Sequence, residues 1–346
     1  MATVGIVITI SIIILGLIGK KSSIIFGIQF FWIWMIQVFN CGGYDYSMNQ
    51  YIYLSGGINT EWIASAVTKL FLSLGIEYML YRVFWGTIAI CILARFIWKY
   101  SKRPCWVTIL YICFLWTDNV IQCRFFWGSC ILLIAFEFLI KKKQKLFWLF
   151  CILATGFHTS FVIYLVFPVI YEFMKKNSRV KNIIILGFEI IICLNFDLVF
   201  AVLGSNYLVD KLKSYLFTDN YSSIIIGIAF FVLYGTIFFT AHWIIQRNCK
   251  SNIDYVILNL LNASIFILPF LLYNSNFGRY FRPILILAII TVLNKLSVVK
   301  RNSLSKYFSY IFCMLLVIGG CVLQSVSGWF MIDNLFNNNY LLKLIF

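Results

Sequence analysis

Residues 78–103 read YMLYRVFWGTIAICILARFIWKYSKR. From Tyr78 to Trp98 the run is apolar apart from Arg82 and Arg95, and it closes on Lys99, Lys102 and Arg103. About 20 such residues carry an α-helix across the hydrocarbon core of a bilayer. A basic cluster at the end of the run is the signal that holds that end on the cytoplasmic side.

The same pattern recurs outward from this stretch, in Thr3 to Gly19 and Ile253 to Tyr273. These runs are continuous, whereas a membrane barrel needs alternation, so helices are selected. Across the 346 residues 62% are hydrophobic and 12% charged, too few polar groups for a water-soluble surface. The expected fold class is all-α, a polytopic integral membrane protein with about 12 transmembrane helices, some short or broken.

The net charge of +16 does not mark a nucleic-acid binder, because the bases form no single patch interleaved with aromatics. They fall between apolar runs as Lys20-Lys21, Arg95 with Lys99 to Arg103, Lys141 to Lys145, Lys175 to Lys181, Arg247 to Lys250 and Lys295 to Lys306. These clusters hold 20 of the 28 basic residues. With all of them inside, the spans lie near 3–19, 24–39, 78–98, 105–121, 125–140, 146–157, 158–173, 182–203, 223–245, 253–273, 280–297 and 307–326. Both termini then lie outside. The N-terminal run lacks a basic leader and a small-residue cleavage site, so it is expected to be a retained helix. The chain is expected to be one domain, with larger extracytoplasmic loops near 40–77 and 204–222.

One interval is too short for its load. Leu146 to Phe173 has 28 residues, whereas two full spans need about 20 each. Either two half-length helices turn within the membrane or one long helix crosses. The turn is favoured because Gly156 and the polar triplet His158-Thr159-Ser160 lie at the centre, where a broken helix could line a cavity. Within the 40–77 loop, Trp62 to Leu74 is apolar but too short to span, and is expected to lie in the interface or to dip partly into the membrane.

Eleven cysteines are scattered without a C-x-x-C pair, so neither disulfides nor a metal site is expected. Ionisable groups away from the basic clusters are the informative ones, since charge near hydrocarbon usually pairs or binds something. They are Asp45, Glu61, Arg82, Arg124, His158, Arg279 and Arg282.

Arginine keeps its charge and grips phosphate with a planar fork of donors. Arg124 and the pair Arg279 and Arg282, with Tyr280 between them, would suit a diphosphate; the alternative for each is snorkelling or pairing with an acid. His158 could take a proton from a sugar hydroxyl, or simply pack between helices. Asp45 lies in the turn-prone, tyrosine- and amide-rich segment 42–51, whose rings, Tyr46 among them, suit a carbohydrate face. His242, a turn from Arg247, is assigned no role.

These residues resemble the EpsG-like branch of Wzy-type polysaccharide polymerases. Asp45 with Tyr46, Tyr51 and Tyr53, followed by Glu61, is similar to the family's D-x-x-x-Y region and the acid opening its next helix. Arg124 to Ala135, the basic Lys141 to Lys145 and Phe157-His158-Thr159-Ser160 are similar to its arginine helix, basic turn and F-H-x-S element. Arg279-Tyr280-Phe281 looks like its late extracytoplasmic arginine. The order agrees from about Gly42 to Arg282; Phe125 stands where the family commonly has Gln.

The resemblance implies glycosyl transfer in a bacterial cytoplasmic membrane, from a polyprenyl-diphosphate-linked oligosaccharide to a hydroxyl of another repeat unit. It implies catalytic roles for His158 as base, Asp45 as second choice and Arg124 at the leaving group. Arg279, Arg282, Tyr280, Glu61 and Tyr46 would bind diphosphate or sugar. The product could be capsule, O-antigen or exopolysaccharide, and a flippase and a chain-length regulator of the same pathway are partners to expect beside membrane lipid. No cofactor and no metal is expected, since no clustered carboxylate pair lies on the outer side. Alternatives are a lipid-linked oligosaccharide flippase, which would more often show two similar halves and charges deep in several spans, and a membrane O-acyltransferase.

Overall fold

The computed structural model describes residues 1–42, 44–58, 61–165, 167, 221–272, 275–297, 303–326 and 335–345. Among them every regular element is helical. The α-helices are α1 (Ala2–Gly19), α2 (Ser23–Val38), α3 (Tyr44–Leu54), α4 (Trp62–Ser73), α5 (Tyr78–Tyr100), α6 (Pro104–Phe114), α7 (Trp116–Ile121), α8 (Cys123–Ile140) and α9 (Gln144–Phe157). After the gap in the description come α10 (Tyr221–Arg247), α11 (Asn252–Ser264), α12 (Arg282–Leu296), α13 (Leu304–Val326) and α14 (Tyr340–Ile345). Short 3-10 turns cover Thr159–Val162, Leu268–Leu272 and Ser275–Phe281.

Six helical stretches among the described residues are long and apolar enough to cross a membrane, and four shorter apolar helices accompany them. The chain is a multi-pass all-α membrane protein. It divides into two compact units, Met1–Leu165 with Ile286–Phe346, and Val166–Leu285. The expected span 182–203 and most of the expected loop 204–222 lie outside the described residues, as does most of 158–173 beyond Leu165.

In the first unit the basic clusters meet at one end. Cys105 N–H donates to the Lys20 carbonyl at 3.3 Å, and the Trp106 indole donates to that of Leu17 at 3.2 Å. Asn294 accepts from Lys102 N–H at 2.7 Å and donates to the Tyr100 carbonyl at 2.7 Å. Glu137, near the end of α8, holds Arg95 at 2.9 Å and Lys99 and Lys141 at 2.6 Å each. This basic end is therefore built from helix termini that the sequence places on one side.

The opposite end is closed by an asparagine-rich tail. The last carbonyls of a helix have no partner within it. Those of α2 are met from elsewhere: Asn339 Nδ2 donates to Met35 O at 3.1 Å and Ile36 O at 3.0 Å, and Tyr340 N–H to Phe39 O at 2.8 Å. Asn337 Oδ1 accepts from Ala2 N–H at 2.9 Å, which brings the first helix to the same place.

Three stretches differ from the sequence reading. Most of the segment 42–51, expected to be turn-prone, lies in helix α3. The expected span 105–121 bends at Leu115, where the chain runs into Thr117-Asp118-Asn119, residues whose side chains compete with the helix ladder. The expected span 253–273 stops as α-helix at Ser264 and continues as 3-10 turns, because Pro269 cannot donate and crowds the carbonyl four residues before it.

Candidate functional site

At the end opposite the basic clusters, α3, α4, α5 and α8 converge. α3 places Asp45 in its first turn, where a carboxylate complements the helix dipole, and Asn49 one turn later. The chain then reverses through Gly56 and Gly57, at φ 84° and 94°. A side chain at Gly57 would sit 2.7 Å from the Ser65 Cα, so only glycine lets the turn lie against α4. That reversal brings Glu61, at the start of α4, back over α8.

There Glu61 Oε2 accepts from Arg124 Nη1, and Arg124 Nε donates to Asn49 Oδ1 at 2.6 Å. Asn49 Nδ2 in turn reaches the Cys123 sulfur at 3.5 Å. Glu61 is 2% exposed, while the Arg124 side chain retains 19%. A buried ion pair is seldom retained for stability alone, because desolvation cancels most of the attraction. This one borders a cavity large enough for about a single water molecule, with Tyr53, Thr68, Tyr78, Tyr81 and Trp127 as its other polar or aromatic walls.

Tyr53 and Tyr78 also form part of a wider groove of about 470 Å³, lined further by Tyr46, Gln50 and Glu77. Burial, reinforced by the Cys41 thiol, pushes the Tyr46 phenol up to about 12, so it remains a neutral hydroxyl. Beneath it lies Arg82, 1% exposed, its guanidinium 5.4 Å from the Tyr46 ring centroid. Arg82 Nη2 donates to Gln37 O at 3.1 Å and Val120 O at 3.2 Å. The cation is thus compensated by the negative ends of α2 and of the α6–α7 pair, and it fixes the elbow from which Arg124 emerges. The sequence flags Arg82 as a charge beside an apolar run; its two carbonyl partners are distant in the chain and invisible there.

His158 ends α9. Its backbone is extended, with φ −154° and ψ 122°, and Nδ1 accepts from Ser160 N–H at 3.2 Å. A neutral ring in that arrangement carries its proton on Nε2 and presents a donor there. The imidazole packs edge-on to Phe125, the neighbour of Arg124, at 5.4 Å between centroids. Two residues earlier, a Cβ on Gly156 would meet Ile63 at 2.6 Å, so the end of α9 also abuts the start of α4 beside Glu61. The helix break expected at Gly156 to Ser160 is present, and it sets the imidazole against Phe125, next in the chain to Arg124.

The remaining expected residues belong to the second unit. Arg279 and Tyr280 lie in the 3-10 turn Ser275–Phe281, and Arg282 opens α12. Arg279 Nε donates to Asn276 O at 2.9 Å, Tyr280 packs on Phe277 at 5.7 Å, and Arg282 is 6% exposed. The turn is pinned to α10 by Phe281, whose ring lies 5.2 Å from Tyr234 and 4.9 Å from Phe238. Among the described residues no group of three His, Cys, Asp or Glu side chains is placed to hold a metal ion.

The family model of the EpsG family matches residues 23–330. The chain belongs to the EpsG family. This is a Wzy-like polysaccharide polymerase family, and the matched span of the EpsG-family chain contains every residue of the converging corner and of the second unit's arginine turn. No curated protein and no solved structure matches the chain.

Proposed function

We propose that this EpsG-family protein is a membrane glycosyltransferase that joins polyprenyl-diphosphate-linked repeat units on the extracytoplasmic side of a bacterial cytoplasmic membrane. The observation that carries the reading is the cluster of Glu61, Arg124 and Asn49, with His158 packed on the adjoining Phe125, at the end of the first unit away from its basic clusters. The positive-inside rule puts that end outside.

In the reaction the bond between the anomeric carbon and the diphosphate oxygen breaks, a bond to the acceptor hydroxyl forms, and the acceptor proton passes to a base. Charge grows on the leaving oxygens, so donors aimed there stabilise the transition state above the ground state. Arg124 supplies a cation for that task and His158 a donor through Nε2, and Arg279 and Arg282 of the second unit are assigned to diphosphate binding. With Nδ1 held by Ser160, His158 serves as base only after its tautomer changes, which favours a carboxylate, Asp45 or Glu61, for the proton. A positioned base contributes about 10²–10⁴-fold. Tyr46 and Tyr280 offer faces and hydroxyls to sugar.

A flippase that delivers the lipid-linked unit and a regulator of chain length would act beside the enzyme. Family membership favours this reading over a flippase or an O-acyltransferase. Deleting the gene and resolving surface polysaccharide by gel tests it. The ladder should collapse to a single repeat unit on its carrier, and persistence of long polymer refutes the proposal.

A further inference from the structure

We infer that the tyrosine groove between α3 and the start of α5 is a subsite for a neutral or amino-bearing sugar ring, and that it discriminates against anionic sugars. The inference rests on the glycosyltransferase reading and names the substrate chemistry of one part of that site.

Four features carry it. The groove, at about 470 Å³, falls in the range of small-ligand clefts, roughly 300–1,000 Å³. Its lining combines the phenols of Tyr46, Tyr53 and Tyr78 with the amide of Gln50, the mixture of flat apolar faces and two-way hydrogen-bonding groups that a polyhydroxylated ring requires. The Tyr78 hydroxyl is buried, and its neighbour within the protein is the Cys123 thiol, a weak hydrogen-bond partner. A thiol satisfies a phenol poorly, and a sugar hydroxyl at this wall is a stronger partner. Finally, among the described residues Glu77 is the one charged residue in the lining, and it is exposed at the rim.

Two cations close to the groove are already compensated. Arg82 is buried beneath Tyr46 with two carbonyls, and Arg124 belongs to the adjoining cavity, where Glu61 balances it. Among the described residues lining the groove an anion meets Glu77 and no base, whereas an ammonium meets a carboxylate; Lys69, exposed on α4 by the Gly56 turn, is outside the lining. Because Tyr53 and Tyr78 are shared with the cavity of the Glu61–Arg124 pair, a ring held here lies beside the groups proposed to act on its hydroxyl.

The test uses the full-length protein in nanodiscs with three soluble probes: methyl glucoside, glucosamine and glucuronate. Saturation-transfer NMR reads their binding. Methyl glucoside and glucosamine should bind, and glucuronate should bind about two- to fivefold more weakly, the scale of one exposed charge contact. Glu77→Lys should reverse the order of glucosamine and glucuronate. Tyr78→Phe should weaken methyl glucoside about three- to tenfold with little change in the unfolding temperature, since the hydroxyl's neighbour within the protein is a weakly bonding thiol. Gln50→Ala, at an exposed position, is the second variant.

Binding of none of the probes overturns the inference. So does binding indifferent to both Tyr78→Phe and Gln50→Ala, or glucuronate favoured by the wild type. A ladder that survives gene deletion while sugars bind in this pattern discards the polymerase and keeps the groove. A ladder that collapses while no sugar binds does the reverse.

Discussion

Glu61 and Glu137 stand at opposite ends of the same unit, both almost fully buried and both holding cations, yet the two clusters are built on different terms. Glu137 faces three bases whose side chains remain 58%, 38% and 43% exposed. There cations outnumber the acid, and water or lipid headgroups share in solvating them. Glu61 faces one arginine, itself 19% exposed, with an asparagine completing the arginine's bonds. Charge balances there, water is largely excluded, and each Coulombic contact counts for more. An ion pair by itself therefore does not mark a site; enclosure beside a cavity and supporting hydrogen bonds do.

Breaking the enclosed pair should have the largest effect. Arg124→Ala strands a buried carboxylate, and the expected loss is about 3–5 kcal/mol, measured as unfolding of the purified protein in detergent. Adding Glu61→Gln removes the stranded charge and should restore most of that stability without restoring polymer. If Arg124→Ala costs no more than loss of a single base at Glu137, the two ends do not differ as described.

Arg82→Gln comes next. It leaves the Gln37 and Val120 carbonyls without their cation, for an expected loss of about 1–3 kcal/mol in the same assay. Polymer yield should fall with it, because the elbow before Arg124 loosens. Glu137→Gln sharpens the contrast from the other side. Its exposed partners find water, so a loss smaller than at Arg124, about 1–3 kcal/mol, and an unaltered polysaccharide ladder are expected.

The smallest effect concerns pH. Burial raises the Tyr46 phenol of the folded protein from 10 to about 12, so its stabilising contribution is complete below pH 10 and is lost as pH rises towards 12. A pH–activity profile below 9 should keep its shape in Tyr46→Phe; a shifted limb would assign Tyr46 a proton-transfer role.

Much of the scaffold was legible because lipid imposes a simple pattern. α5, α8, α10 and α13 are continuous apolar runs ended by bases, and such runs have few alternatives in a bilayer. The break at Gly156 to Ser160 could be read from a polar triplet in too short an interval. α3 could not, since its tyrosines and amides carry no apolar periodicity; tertiary contacts, such as those of buried Tyr53 with Tyr78 and Tyr81, hold it in place. Pro269 is visible in the sequence, yet the apolar run 253–273 around it has the length of a full span. Candidate residues could be picked out by charge in an unexpected place. Their pairing could not, because Glu61 and Arg124 are 63 positions apart and are joined by the glycine turn and the packing of α4 on α9. Glu137 escaped notice for the opposite reason: an acid amid many bases looks like ordinary surface charge.

The central claim is that polymer formation depends on the chemistry of the enclosed corner and not merely on the protein being folded in the membrane. Complementing a deletion strain with the Arg124→Ala, Glu61→Gln double variant, matched to wild type for membrane abundance and unfolding temperature, tests it most directly. Gel analysis of surface polysaccharide should show only the single repeat unit, and a full ladder from that variant would contradict the account.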